Sequence, residues 1–314
     1  MKRDDVASNG KTMSTSKHTR RLGPTGIEVG PIAYGLWRFV GNDVKAARTR
    51  IETALDAGMT LIDVAAVYGL DWGGSEFGES ETLLGKVLAD APGLRSRMVL
   101  ATKFGIIPRI PYDSGAPAVI RSCEESLLRL GIDCIDLFQV HRPDVLTHPT
   151  ELAEALTKLR AQGKIREAGV SNYNARQTLL LQQFLDFPLA TMQPEFSALA
   201  PEGAFDGVLD FAISRGMTPL AWSPLAGGKI LEDSPADPAA QRVAKKLDEL
   251  VRFHGTSRTA IALAFVMRHP SNPSPIVGTQ NPARIAAATD ALRVSLSRTD
   301  WYALVVAAQG KPLP

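Results

Sequence analysis

Cysteine is nearly absent from this chain, with Cys123 and Cys134 the two among 314 residues. That excludes a disulfide framework and a cysteine-built metal centre, and it fits reduced structural thiols in a cytosolic protein. An excess of charge is also missing. Lys plus Arg is 35 against Asp plus Glu 33, a net of +2, so no nucleic-acid or membrane partner is indicated. The longest helical apolar stretch, Ile261 to Met267, is far shorter than the roughly 20 residues a bilayer span needs. Residues 1–20 are charged and polar, without the apolar segment of a secretory signal. They read as a disordered leader before one domain over 21–314, in a soluble cytoplasmic protein. His18, His148, His254 and His269 lack metal-ligand spacing and read as surface or loop, and no metal is expected. A Gly-x-Gly-x-x-Gly turn after the first strand is absent too, which counts against a doubly wound dinucleotide fold.

What is present is a regular alternation. Arg20-Arg21-Leu22-Gly23 and Glu28-Val29-Gly30 flank Pro24-Thr25-Gly26, a small hairpin. Short apolar runs then predict strands at 31–35, 59–63, 98–102, 135–140, 166–170, 190–193, 217–221 and 274–277. Helices are expected near 43–57, 79–91, 117–130, 150–162, 174–184, 204–215, 238–254 with 257–268, 281–292 and 297–308. The strands are apolar throughout, as for a sheet covered on both faces. The helices are amphipathic: Ile51, Ala54 and Leu55 share one face, as do Leu152, Ala155, Leu156 and Leu159. Gly58, Gly131, Gly163 and Gly216 each fall where a helix wants a left-handed stop. Strand and helix alternating in this way predict a closed (β/α)8 TIM barrel with an N-terminal hairpin and an extra C-terminal helix.

A barrel gathers the C-terminal ends of its strands at one mouth. Asp63 ends the second expected strand, Tyr68 lies in its loop, Lys103 follows the third and His141 the fourth. Neighbouring strands lie about 5 Å apart, so these side chains are placed to converge. A phenol is too weak an acid for easy proton exchange at neutral pH, and a nearby ammonium corrects that. A carboxylate holds the ammonium, and an imidazole hydrogen-bonds a substrate oxygen. The set suits proton donation to a carbonyl while something else delivers hydride. No side chain supplies hydride, so a nicotinamide cofactor is implied.

The same residues carry a resemblance. Gly35-Leu36-Trp37, Leu61 to Gly69, Ser80-Glu81-Thr82-Leu83-Leu84-Gly85 and Ala101-Thr102-Lys103 are followed by Asp136 to His141, Gly169-Val170-Ser171-Asn172 and Trp222-Ser223-Pro224-Leu225. In that order and spacing they resemble the aldo-keto reductase superfamily over roughly residues 20–310. The sequence looks closest to bacterial oxidoreductases with a His-Arg-Pro-Asp motif, here His141 to Asp144. The resemblance implies Tyr68 as general acid, with Lys103, Asp63 and His141 in the roles above. It implies NADP(H), or less often NAD(H), bound across the mouth. Ser171, Asn172 and Gln193 would hold the carboxamide, and Trp222 would stack on the nicotinamide. Ser223, Pro224, Leu225, Gly227 and Lys229 would wrap the pyrophosphate. Gly278, Thr279, Gln280 and Arg284 would meet the adenosine end, and Gly35, Leu36, Trp37 and Asp63 complete the lining. Two departures stand at that end. Many relatives carry a cation beside the threonine, where this chain has Gly278 and Gln280. Relatives often have Glu-Asn where this chain has Ala287 and Ala288. A missing cation costs a phosphate contact on the order of 1–3 kcal/mol.

The expected activity is reduction of aldehydes or ketones to alcohols, or the reverse, on small molecules. Two other readings stay open at this stage: a cofactor-bound accessory protein, and a Schiff-base aldolase using Lys103. Trp37 is expected at the mouth. Arg142 and Asp144 read as a local ion pair without chemistry.

Overall fold

The computed structural model describes residues 19–70 and 73–314. The leader expected over residues 1–20 therefore lies outside the described residues, apart from Thr19 and Arg20, and so does His18. Arg20 belongs to the first strand. Strands β1 (Arg20–Arg21) and β2 (Glu28–Val29) pair antiparallel, Arg20 opposite Val29. Thr25 fixes their turn, its hydroxyl donating to Leu22 O at 2.7 Å.

Eight parallel strands follow: β3 (Ala33–Gly35), β4 (Leu61–Asp63), β5 (Val99–Phe104), β6 (Ile135–Val140), β7 (Ile165–Ser171), β8 (Thr191–Gln193), β9 (Thr218–Ala221) and β10 (Ser274–Val277). They close into a barrel when β10 pairs with both β9 and β3. Every strand falls within two residues or so of its expected place, because a strand buried on both faces shows as an unbroken apolar run. The helices between them are α1 (Val44–Asp56), α2 (Glu79–Asp90), α3 (Ala116–Leu130), α4 (Pro149–Ala161), α5 (Ala175–Gln182), α6 (Val208–Arg215), α7 (Pro238–His254), α8 (Arg258–Met267) and α9 (Pro282–Ala287). A final helix, α10 (Arg298–Gln309), follows the eighth unit. Asp43, Asn174, Asp237, Ser257, Asn281 and Ser297 cap helix starts through their side chains. The four expected glycine stops are left-handed, with φ of 82° at Gly58, 65° at Gly131, 71° at Gly163 and 63° at Gly216.

Two helices fall short of the pattern by four residues or more. The helix expected at 204–215 starts at Val208, because Gly207 at φ 87° breaks the spiral after a 3-10 turn at Glu202–Ala204. The one expected at 281–292 passes from α9 into a 3-10 turn at Ala288–Arg293. There the Thr289 hydroxyl donates to Ala286 O at 2.8 Å, competing with the backbone ladder.

The barrel interior is layered. Ala33, Leu61, Ala101, Leu137, Leu220 and Ile276 pack together, and the hairpin closes over them with Leu22, Ile27 and Val29. This floor is apolar and buried. Side chains in a strand alternate with period two. Two residues on from Leu61, Ala101, Leu137 and Leu220 stand Asp63, Lys103, Gln139 and Trp222. The fold thus sets a polar layer on an apolar one, towards the strand C-terminal ends.

The matched segment Ser80–Gly85 does other work. Glu81 is fully buried and receives hydrogen bonds from Thr102 Oγ1 at 2.5 Å, Ser126 Oγ at 3.2 Å and Arg129 Nε at 2.7 Å. It ties α2 to β5 and α3. Gly85 allows that approach, since a Cβ there would lie 2.1 Å from Arg129 O. Both cysteines are free, and burial pushes the Cys123 thiol up to about 12, as an inert structural thiol requires.

Candidate active site

Lys103 comes from β5 and is completely buried. Its Nζ donates to Asp63 Oδ2 at 2.6 Å, to Val64 O at 3.0 Å and to the Tyr68 hydroxyl at 3.0 Å. An ammonium has three N–H donors, and here each has an acceptor. Burial works against this charge, but the Asp63 carboxylate and the Tyr68 oxygen outweigh it and hold the Lys103 pKa above its ordinary value. Asp63 is itself 2% exposed. Its second oxygen, Oδ1, accepts from Gln193 Nε2 at 3.0 Å and Gln139 Nε2 at 3.3 Å.

Tyr68 is half-buried, and its ring lies under the Lys103 ammonium, 4.6 Å from Nζ to the centroid. The His141 ring stands edge-on to it, with centroids 5.8 Å apart and planes at 80°. His141 begins where β6 ends, its N–H donating to Phe104 O at 2.9 Å. Desolvation first, then the Lys103 and Arg142 charges, push its imidazole pKa well below the ordinary histidine value. At neutral pH the ring is therefore uncharged and carries one N–H donor. The four sequence-predicted residues stand together around one point of the mouth.

The shift of His141 sets a stability expectation. A group whose folded pKa is depressed stabilises the fold fully above its unfolded value, near 6.5 for histidine. It loses that contribution as pH falls through 6.5 towards the folded value, because the unfolded chain binds the proton first. Denaturant melts of the parent should weaken from about pH 6.5 downward, and a His141→Gln variant should show a shallower slope over that window. Identical slopes would contradict the assignment.

A second set gathers beside the first. Asn172 occupies the left-handed region at φ 59°. Its Nδ2 donates to His141 O at 3.0 Å and Ser171 Oγ at 2.9 Å, while its Oδ1 accepts from Trp222 Nε1 at 3.0 Å. Ser171 Oγ in turn donates to Gln193 O at 3.1 Å. The indole is thereby fixed against the polar layer. The loop after β9 then winds through left-handed Ser223, Ala226, Gly227 and Gly228, at φ 49°, 51°, 69° and 104°. A Cβ built on Gly227 or Gly228 meets nothing within 4 Å, so that loop faces open space. Pro224 is buried, Leu225 half-buried and Lys229 exposed. Arg38 reaches over from the loop after β3 to donate to Gly227 O at 3.2 Å.

Beyond β10, Tyr34 anchors the last segment, its hydroxyl donating to Thr279 O at 3.2 Å and accepting from Gln280 Nε2 at 3.4 Å. Arg50 of α1 donates to Gln280 O at 3.1 Å. Asn281 caps α9, and Arg284 stands exposed on its first turn. Gly35 and Leu36 are buried under the mouth, and Trp37 is half-buried at it. A Cβ on Gly35 would lie 2.6 Å from Ile276 Cγ2, so the β3–β10 contact requires glycine there.

The expected Arg142–Asp144 pair does not form. Arg142 lies over the Trp222 ring at 6.0 Å. Asp144 accepts instead from Ser114 N, Leu146 N and Thr147 Oγ1, at 2.9, 3.0 and 2.7 Å. Its carboxylate is spent on loop amides that the next-door guanidinium cannot replace. Sequence reasoning also missed Gln139 and Thr191, which belong to the polar layer. A fully buried glutamine inside the apolar run Ile135–Val140 was the available signal.

Among the described residues no helix is long and apolar enough to cross a membrane. Comparison with known proteins points one way. The chain is 46% identical over 297 residues to a 6-dehydroglucose reductase of Novosphingobium aromaticivorans, covering 94% of this chain and 97% of the relative. A 6-dehydroglucose reductase of Agrobacterium fabrum is 36% identical over 91% of this chain and 96% of its own length. A crystal structure of a thermostable aldo-keto reductase bound to the inhibitor epalrestat superposes with a TM-score of 0.78. It is 25% identical and covers 92% of this chain and 99% of its own. The model of the aldo/keto reductase family matches residues 31–307, nearly the whole barrel. Barrel, mouth residues and relatives agree, and the chain belongs to the aldo/keto reductase family of oxidoreductases.

Proposed function

We propose that the chain is an NADP(H)-dependent carbonyl reductase, converting aldehydes or ketones to alcohols or the reverse, with Tyr68 as proton donor. The observation that carries this reading is the buried Lys103 ammonium, 2.6 Å from Asp63 and 3.0 Å from the Tyr68 oxygen. A cation at that distance stabilises phenolate over phenol, which brings proton release from Tyr68 within reach at neutral pH. Asp63 keeps the amine charged and in place. Neutral His141 faces the same point and offers an N–H to the carbonyl oxygen, where negative charge grows during reduction.

When bound, a nicotinamide cofactor supplies the hydride that no side chain can. The residues present fit such a group. Asn172, itself bonded to Ser171, accepts from the Trp222 indole N–H at 3.0 Å and so orients the ring as a stacking platform needs. Left-handed Ser223, Ala226, Gly227 and Gly228 shape a loop with open space beside Gly227 and Gly228, room for a diphosphate to approach the backbone. Arg38, which donates to Gly227 O, and exposed Lys229 and Arg284, in the loop after β9 and on α9, supply positive charge. In this reading Ser171, Asn172 and Gln193 hold the carboxamide, Ser223 to Lys229 the pyrophosphate, and Gly278, Thr279, Gln280 and Arg284 the adenosine end. Gly35, Leu36 and Trp37, on and just after the strand beside β10, complete the lining. Two relatives are named for 6-dehydroglucose, so the substrate we propose is a sugar aldehyde of that kind.

The Schiff-base reading needs Lys103 as a free amine. Its three N–H donors are all engaged and its pKa is raised, which speaks against it. The functional reading is tested by titrating NADPH and NADH separately against tryptophan fluorescence. Saturable quenching by NADPH, about tenfold tighter than NADH on the strength of a charge-assisted phosphate contact, is expected. Trp222→Leu should weaken the quench. Absence of binding by both cofactors would refute the proposal.

A further inference from the structure

Gln139, Gly169 and Thr191 lie side by side on β6, β7 and β8, in direct register. Glycine in the middle of a strand normally weakens it. Here it opens a passage. A Cβ on Gly169 would sit 2.0 Å from Thr191 Oγ1 and 3.3 Å from Gln139 Cγ. With that space empty, the two flanking side chains meet across β7, and Thr191 Oγ1 donates to Gln139 Oε1 at 3.0 Å. That bond fixes the amide orientation of Gln139, so Nε2 points to Asp63 Oδ1 at 3.3 Å. Gln139 and Thr191 are fully buried, so no water competes for either bond. Lys103 pairs in register with Gln139 on the other side.

A carboxylate held at one oxygen alone is free to turn about its side-chain torsions. Asp63 is held at both: Oδ2 by Lys103, Oδ1 by Gln193 and Gln139. Resting on the carbonyl-reductase reading, we propose that Gln139 and Thr191 are positioning residues, with Gly169 supplying the room. They lock Asp63 so that its other oxygen, Oδ2, faces Lys103, and through Lys103 they set the proton affinity of Tyr68. None of the three touches the reacting atoms.

The variants Gln139→Met and Thr191→Val keep volume and remove the hydrogen bonds, and Thr191→Ser keeps the hydroxyl. The direct readout needs no substrate: tyrosinate ultraviolet absorbance against pH, with a Tyr68→Phe reference in each background to isolate Tyr68. Among the described residues, the charged and titratable groups around Tyr68 include Lys103, Asp63 and His141, common to every variant. Loosening Asp63 lets the Lys103 ammonium drift from the phenol, so the Tyr68 transition should move to higher pH in Gln139→Met and Thr191→Val, and return in Thr191→Ser. Turnover at neutral pH should fall about tenfold, the scale of one charge-assisted hydrogen bond, with cofactor affinity unchanged. Once Gln139→Met is made, adding Thr191→Val should cost little more, because both act through one contact. Gly169→Ala should reproduce the shift. A merely structural role would lower the melting temperature without moving the Tyr68 transition. An unmoved transition in Gln139→Met overturns this proposal whether or not the parent turns over. A parent that binds no nicotinamide overturns the functional reading separately.

Discussion

Tyr68→Phe should bind NADPH as the parent does and lose carbonyl reduction by roughly 10²–10⁴-fold, the range for removal of a general acid. The substitution deletes one oxygen. It leaves the ring that faces His141 and Lys103, so packing and cofactor contacts persist. The missing proton donor is expected to appear in kcat, with KM changed far less, because the donated bond forms as charge develops on the carbonyl oxygen. Steady-state kinetics beside a fluorescence titration separate the two effects. A Tyr68→Phe protein that reduces a good aldehyde at the parental rate would remove Tyr68 from the chemistry.

Lys103→Met should have the largest effect on both activity and stability. Lys103 is fully buried and Asp63 is 2% exposed. Removing the cation leaves a carboxylate in a water-poor layer with amide donors alone. Breaking a buried pair from one side costs about 3–5 kcal/mol, a large part of the roughly 5–15 kcal/mol that keeps a domain folded. Denaturant melts should show that loss, and turnover should vanish because nothing then favours the Tyr68 phenolate. The double variant Asp63→Asn with Lys103→Met removes both charges. It should recover most of the stability and none of the activity. A double variant as unstable as the single one would mean that the pair is not coupled as the 2.6 Å contact implies.

Much of this was legible in the sequence, for a physical reason. Barrel strands are buried on both faces, so each stands out as an apolar run, and left-handed glycines mark where helices stop. The four mouth residues were legible because each carries chemistry at the end of such a run. What escaped depended on register. Gln139, Gly169 and Thr191 are far apart in the chain and meet because three strands align them, and no local pattern announces that alignment. Gln193 was matched for the carboxamide alone, and its further bond, Nε2 donating to Asp63 Oδ1 at 3.0 Å, likewise depends on register. Asp144 shows how sequence neighbours mislead. It stands two residues from Arg142 yet accepts from loop groups, including Ser114 N, rather than from the guanidinium. The shortened helix at Val208 turned on one left-handed glycine, Gly207, whose φ the sequence leaves open.

The central claim is that this barrel mouth moves a hydride and a proton onto a carbonyl. The most direct measurement mixes the purified full chain with NADPH and a sugar aldehyde such as 6-dehydroglucose, following reduced-cofactor absorbance and the alcohol formed. One reduced cofactor should disappear for each alcohol produced, and the rate should fall by roughly 10²–10⁴-fold when Tyr68 is Phe. Unchanged absorbance with both NADPH and NADH across a broad panel of aldehydes and ketones would contradict it.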